Sequence, residues 1–189
     1  MPEPRPAVLR AHNLCKSFGA RVVIRDLHMD VAAGETVALA GPNGSGKSTA
    51  LRLLAGLLPA TSGSGEVLGC SLQSLDRLTR NAIGYLPQRA ALYPKLSAHE
   101  NLRLRAALAG LARPALEAHA ALRQIGMNAR QQDALATFSG GWVRRIEIAA
   151  TLIHRPRLLL LDEPTTGVDA EADAGIWNQL ATFAHEGGA

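Results

Sequence analysis

The sequence predicts an α/β fold: a mixed sheet with an antiparallel β portion, interrupted by an inserted α-helical block. Three observations carry that expectation. Residues 7–32 alternate apolar and polar side chains at the period of strands. A glycine-rich stretch, "AGPNGSGKST" at 40–49, separates the apolar run "ETVALA" from a segment with helical spacing. From about residue 97 to 150 the apolar spacing is helical, and the run "RLLLLDEP" then returns to strand character.

Taken in order, "AVLRAHNL" alternates and reads as an edge strand. "RVVIRDLHMDVA", with Val22, Ile24, Leu27, Met29 and Val31, reads as a strand pair or a strand and turn. "ETVALA" reads as a buried strand feeding the glycine-rich loop. "STALRLLAGL" follows as a helix, with Leu51, Leu54 and Leu58 on one stripe. "GEVL" and "AIGYL" are short strands. "SAHENLRLRAALAGL" and "RPALEAHAALRQIG" are helices, with Ser97 as N-cap and Glu100 at capping-box distance. "WVRRIEIAATLIH" is helical again. "RLLLLDEP" reads as a central parallel strand and "DAGIWNQLATFAHE" as a last helix. The expected organisation is one domain over 1–189. Residues 1–96 and 155–189 form its core, and 97–154 form a helical subdomain.

Composition narrows the classes. An apolar content of 47% with 19% charged residues fits a soluble globular chain. The net charge of +4 is spread without a dense Lys/Arg run, and few aromatics exist to stack bases, so no nucleic-acid partner is expected. Cys15 and Cys70 have no metal-ligand spacing and fit a reducing compartment. "MPEPRPAVLR" lacks the apolar centre of a signal peptide. The run "LLLL" at 158–161 is far too short to span a bilayer.

The glycine-rich loop carries the first chemistry. Gly41 to Ser48 reads G-x-x-x-x-G-K-S. Gly41, Gly44 and Gly46, with Pro42, Asn43 and Ser45 between them, let successive N–H groups point into one concavity and bind an anion. Lys47 brings positive charge to the outer phosphates of a nucleotide. Ser48 offers its hydroxyl to Mg²⁺, with Thr49 beside it. The helix start supplies further N–H groups. The alternative, a Gly/Ser linker, does not account for a strand before and a helix after the loop.

Two further constellations follow. Asp162 and Glu163 end the buried strand at 158–161, where ligands bind in open α/β sheets. One acid suits Mg²⁺ opposite Ser48, and the next can orient an attacking water. A pair of acids closing a strand before Pro164 is the plain alternative. Ser139 with Gly140 and Gly141 makes a second helix start open to an anion. One nucleotide does not need two such sites unless the second serves another molecule. An ordinary helix cap is the plain alternative there.

Together, in this order and spacing, these motifs resemble the ATP-binding subunit of ABC transporters over essentially the whole chain. "GPNGSGKST" looks like Walker A, "LLLLDEP" like Walker B with its catalytic glutamate, "FSGG" like the ABC signature and "TTGVD" like the D-loop with Asp169. Gln88 in "YLPQ" looks like the Q-loop glutamine, which contacts Mg²⁺ and the attacking water. Phe18 in "CKSFG" looks like the aromatic that stacks on adenine. The resemblance implies a P-loop NTPase (RecA-like) core. It implies ATP and Mg²⁺, with Ser48, Gln88 and Asp162 at the metal and Glu163 and Gln88 as catalytic residues. It also implies a head-to-tail dimer, homo- or heteromeric, in which Ser139, Gly140, Gly141 and Trp142 meet the partner copy's ATP. A multi-span permease is the implied membrane partner, with the chain on the cytoplasmic face of the inner (plasma) membrane. "YPKLSAHENL" resembles exporter subunits of the drug-resistance and polysaccharide type.

The chain departs from the family pattern twice. The signature's fifth position, commonly Gln, is Trp142, for which core packing or a surface position is the plain alternative. The strand and switch histidine that follow the last helix in the family are not found before "AHEGGA". His185 comes too early and reads as a surface histidine. A chain missing that C-terminal part is expected to bind ATP and hydrolyse it slowly or not at all. A non-transport ABC ATPase, of translation or DNA-repair type, and a kinase or GTPase with the same loop are the other classes. The first carries a tandem domain or a long coiled coil that this sequence lacks. The second leaves Gln88 and Ser139–Gly141 unexplained.

Overall fold

The computed structural model describes residues 7–89 and 91–189. Residues 1–6, assigned above to the core, and residue 90, in the segment after Gln88, lie outside the described residues. The chain divides into two compact units. The first runs up to Tyr85 and includes Arg157–Asp162 and Phe183–Ala189; the second comprises Leu86–Pro156 and Glu163–Thr182.

The first unit is built on β1 (Ala7–Phe18), β2 (Arg21–Ala32), β3 (Ser62–Val67) and β4 (Cys70–Ser71), ordered β2-β1-β3-β4. β1 pairs antiparallel with β2 on one side and β3 on the other. Alternation sends Leu9 and Ala11 into the core and leaves Arg10 and His12 outside, and an irregularity at Asn13, with φ +48, brings Leu14 into the same core. "RVVIRDLHMDVA" is therefore one continuous strand, with irregular register absorbing its uneven spacing. Helix α1 (Lys47–Leu54) follows the glycine-rich loop, and β5 (Ile83–Leu86) with β6 (Leu158–Leu161) forms a second, two-stranded sheet. Leu9, Leu14, Leu53, Leu54, Val67 and Leu158 are among the core members. Each such leucine contributes about 1.5–3 kcal/mol over an exposed one.

Three sequence expectations are corrected in this unit. Residues 35–40, "ETVALA", form no strand, and most of them are exposed. Apolar content does not make a strand without a neighbour, and no ladder partner lies beside them among the described residues. β6 pairs with β5, and on another edge Leu159 N–H donates to Ala189 O and Ala189 N–H to Arg157 O. It is thus flanked on both edges, but among the described residues its sheet has two strands and is not the wide parallel sheet expected. In α1 the fully buried positions are Ala50, Leu53 and Leu54; Leu51 and Leu58 pack partly buried against the same core, but Leu58 lies beyond the helix, which stops before Gly56, whose φ is +66. A short helix missing from the sequence reading, α2 (Arg77–Asn81), is capped by Asp76, whose carboxylate accepts the Thr79 N–H at 2.7 Å.

The second unit is helical: α3 (Ala98–Leu108), α4 (Pro114–Gln124), α5 (Gly140–Leu152) and α6 (Ala170–His185), the last of which continues past Thr182. Leu102, Ala106, Leu122, Ile146 and Ala150 share its core. The expected capping box is present. Ser97 Oγ accepts the Glu100 N–H at 3.1 Å, and Glu100 accepts the Ser97 N–H at 2.8 Å. These bonds to Ser97 hold the Glu100 carboxyl below its ordinary pKa. Its stabilising effect is therefore present above the unfolded pKa and is lost as pH falls through the lower folded one. Ser97→Ala is expected to cost about 1 kcal/mol, read as a lower urea midpoint at unchanged slope. An unchanged midpoint would mean that the cap contributes nothing.

Candidate functional site

The glycine-rich loop takes its shape from one position above all. Gly46 has φ +100 and forms the N-cap of α1, and a Cβ there would meet Ile24 Cδ1 at 2.8 Å and the Val23 carbonyl at 3.1 Å. Both the left-handed backbone and the approach to β2 demand glycine. Gly41 and Gly44 also have positive φ, and Ser45 N–H closes the turn onto Pro42 O at 3.2 Å. Gly41, Pro42, Asn43, Gly44 and Ser45 are exposed. The first intrahelical bond joins Ala50 N–H to Gly46 O. The N–H groups of Lys47, Ser48 and Thr49 thus have no acceptor within the helix. No acidic residue occupies this first turn, so the end keeps its attraction for an anion. The Lys47 ammonium is folded over the loop, donating to Gly41 O at 2.8 Å and Pro42 O at 3.0 Å.

Beneath this loop Ser48 Oγ donates to Asp162 Oδ1 at 3.0 Å. Asp162 is only 2% exposed, at the residue after β6. Two hard oxygen donors side by side suit Mg²⁺, which binds through one or two carboxylates and takes its other ligands from water and phosphate. Among the described residues no group of three His, Cys, Asp or Glu side chains forms an all-protein cage. The Ser48–Asp162 pair is a donor set of the kind Mg²⁺ takes. Phe18, at the end of β1, is 51% exposed, with Lys16 Nζ 5.1 Å from its ring centroid.

In the second unit Gln88 Nε2 donates to Glu163 Oε2 at 2.8 Å, and Thr166 Oγ1 reaches the same oxygen at 3.2 Å. Glu163 has φ +52, left-handed for a residue with a side chain. The expected cap at Ser139 is present, accepting the Trp142 N–H at 3.5 Å, a long bond. No acidic residue lies in the first turn of α5. A Cβ on Gly140 would have the Gly167 carbonyl, from "TTGVD", as its neighbour at 4.0 Å. Gly141 is buried in α5, and Trp142 is partly buried against the helical core with Arg145 4.4 Å from its ring centroid. Asp169 precedes α6, and its carbonyl accepts the Asp173 N–H. His185 is exposed in the last turn of α6, as expected for a surface histidine.

The sequence-predicted residues thus fall into two groups. The loop, Ser48 and Asp162 belong to the first unit; Gln88, Glu163, Ser139–Trp142 and Asp169 belong to the second. The chain passes from one unit to the other between Asp162 and Glu163. Sequence reasoning missed Arg144, Glu147 and Thr166. An Arg–Glu pair at i,i+3 in a largely apolar helix was the available signal.

The ABC transporter family profile matches residues 24–166. The chain is 40% identical over 167 residues to the linearmycin resistance ATP-binding protein of Bacillus subtilis, covering 87% of this chain and 54% of that protein. It is 41% identical over 173 residues to the Nod factor export ATP-binding protein I of Sinorhizobium fredii, covering 90% and 50%. The chain therefore spans about half the length of the curated relatives it matches. Among solved structures it superposes on an ATP-binding subunit of an ABC transporter with TM-score 0.84 at 30% identity, covering 96% of this chain and 76% of that one. It also superposes on a dimeric ATP-binding cassette in a post-hydrolysis state bound to ADP and Pi, with TM-score 0.83 at 25% identity, covering 94% and 83%. The fold is that of a P-loop NTPase, and the matched stretch takes in Gly41, Ser48, Gln88, Ser139 and Asp162. With most of its length inside that profile, the chain belongs to the ABC transporter family.

Proposed function

We propose that this chain binds Mg-ATP on the loop 41–49 and hydrolyses it to power a membrane transporter, an exporter. The observation that carries the reading is the Ser48–Asp162 contact beneath a loop with its lysine folded over it. Lys47 exchanges its two backbone carbonyl partners for phosphate oxygens, a stronger charge-assisted contact. The N–H groups of Gly44 and of Gly46 to Thr49 take the remaining phosphate oxygens. Ser48 and Asp162 hold Mg²⁺, which neutralises phosphate charge when bound. Phe18 offers a ring face to adenine. Glu163, oriented by Gln88, accepts the proton of the attacking water. Gln88 also reports the state of the site to a multi-span membrane partner docked near residues 88–102.

The second half of the site comes from a second ATP-binding domain, identical or related. Ser139, Gly140, Gly141 and Trp142 face the nucleotide of that copy, and Asp169 lies at the interface. ATP then joins two domains and hydrolysis releases them, which turns chemistry into motion. The dimeric cassette with ADP and Pi among the structural neighbours supports this assembly, and the relatives named for Nod factor export and linearmycin resistance support the direction of transport. On this reading the chain works at the cytoplasmic face of the inner membrane. No described helix is long and apolar enough to cross it.

Equilibrium binding of a fluorescent ATP analogue, with Mg²⁺ and with EDTA, tests the reading. Saturable binding that tightens with Mg²⁺ is expected. Equal binding of ATP and of an unrelated anion such as sulfate would reject it. Cross-linking in native membranes should capture a multi-span protein at residues 88–102; capture through α5 alone would contradict the docking surface.

A further inference from the structure

Arg144 lies in α5, five residues after the Ser139 cap, and is only 6% exposed. Its guanidinium spans two separate stretches of chain. Nε donates to Pro164 O at 2.9 Å and Nη2 to Glu163 O at 2.9 Å. Nη1 donates to Pro87 O at 3.1 Å and to Glu147 Oε2 at 3.0 Å. Glu147, also buried, accepts the Ala91 N–H through its other oxygen at 2.9 Å. The Arg144–Glu147 pair therefore grips the backbone on both sides of Gln88, at Pro87 and at Ala91. It also grips the backbone at Glu163 and just after it.

A buried ion pair is a poor source of stability, since an apolar pair of similar volume does as well. What the planar guanidinium fork supplies is geometry. Glu163 sits in a left-handed conformation that disfavours residues with a Cβ. A charge-assisted bond on its own carbonyl holds it there. The side chains of Gln88 and Glu163 then meet at 2.8 Å.

We propose that Arg144, held by Glu147, is a positioning residue: it fixes the Gln88–Glu163 pair to the helix that begins at Ser139. Displacement of that helix by a partner then moves the pair, so contact at the second anion site is read directly by the hydrolytic groups. This deepens the ATPase reading and rests on it.

The test uses the full chain with three variants. Arg144→Lys keeps the charge and loses the fork. Arg144→Met with Glu147→Gln removes both charges together and keeps an acceptor for Ala91, so it leaves no lone buried charge. Arg155→Lys, at the exposed pair with Glu117, is the control. Mg-ATP affinity, single-turnover hydrolysis and the NMR signal of the Gln88 side-chain amide are measured for each. The first two variants are expected to bind Mg-ATP within about twofold of the parent, because neither touches the phosphate loop. Their hydrolysis falls roughly a hundredfold, the scale of a small misplacement of reacting groups. Their Gln88 amide signal moves to a solvent-like position, and the control changes nothing. An unmoved amide signal in both variants overturns the proposal, whatever the rates. A parent chain that binds no Mg-ATP defeats the ATPase reading instead, and the amide signal alone then decides whether Arg144 places the pair.

Discussion

Lys47→Ala is expected to abolish measurable Mg-ATP binding while leaving the fold intact. Among the described residues the ammonium of Lys47 donates to the exposed loop it belongs to, at Gly41 O and Pro42 O, and both carbonyls can turn to water when it is removed. Its contribution to the folded chain is therefore small. Its contribution to a bound triphosphate is not. Each hydrogen bond to a charged group is worth about 1.5–3 kcal/mol, so two such bonds to phosphate oxygens correspond to a loss of affinity of roughly a hundredfold or more. The N–H groups at the start of α1 remain and give only weak, salt-sensitive anion binding. Titration of the variant with a fluorescent ATP analogue, next to a thermal melt, separates site from fold. An affinity within threefold of the parent would sink this account of the loop, and a collapsed melt would show that the lysine holds the structure.

The loop was legible because its chemistry is contiguous. Gly41 to Ser48 specify backbone freedom, charge and hydroxyl within one turn of chain, and Gly46 needs no partner's identity to be recognised. The capping box at Ser97 and Glu100 was legible for the same reason, since both bonds close within three residues. The Ser48–Asp162 contact bridges 114 residues, yet it was reachable, because an acid at the end of a buried strand has few other uses in such a fold. Residues 35–40 were misread because strand formation is a property of pairs. The apolar pattern names a segment that suits a sheet, and only the rest of the chain decides whether an edge is there to receive it.

Arg144 marks a harder limit. Three of its acceptors are backbone carbonyls, at Pro87, Glu163 and Pro164, and a carbonyl has no signature in a sequence. Only the charge pair with Glu147 could have drawn the eye. The positive φ of Glu163 was equally hidden, because glutamate has no preference for that region. Contiguous motifs thus show which groups act. The groups that hold them at the right angle come from helices and loops whose meeting is not written locally.

Glu163→Gln is expected to keep nucleotide binding and to lower hydrolysis by about three orders of magnitude, the middle of the range for loss of a general base. The exchange is nearly isosteric. An amide oxygen in place of the carboxylate still accepts from Gln88 Nε2 and Thr166 Oγ1, so the contacts seen at 2.8 and 3.2 Å can persist. The backbone at φ +52 is no harder for Gln than for Glu, and Arg144 still holds the carbonyl. Only the capacity to take a proton is lost. The phosphate loop, Ser48 and Asp162 are untouched, so Mg-ATP affinity should equal that of the parent or exceed it, because bound ATP is no longer converted to product. In an assembled pair of domains the variant should accumulate as an ATP-bound dimer, visible as a larger species by light scattering. Single-turnover hydrolysis of radiolabelled ATP detects slow rates in both parent and variant. A variant that hydrolyses ATP at the parent's rate would place the catalytic base on another residue. A variant that loses binding as well would show that Glu163 belongs to the binding site and not to the hydrolytic step.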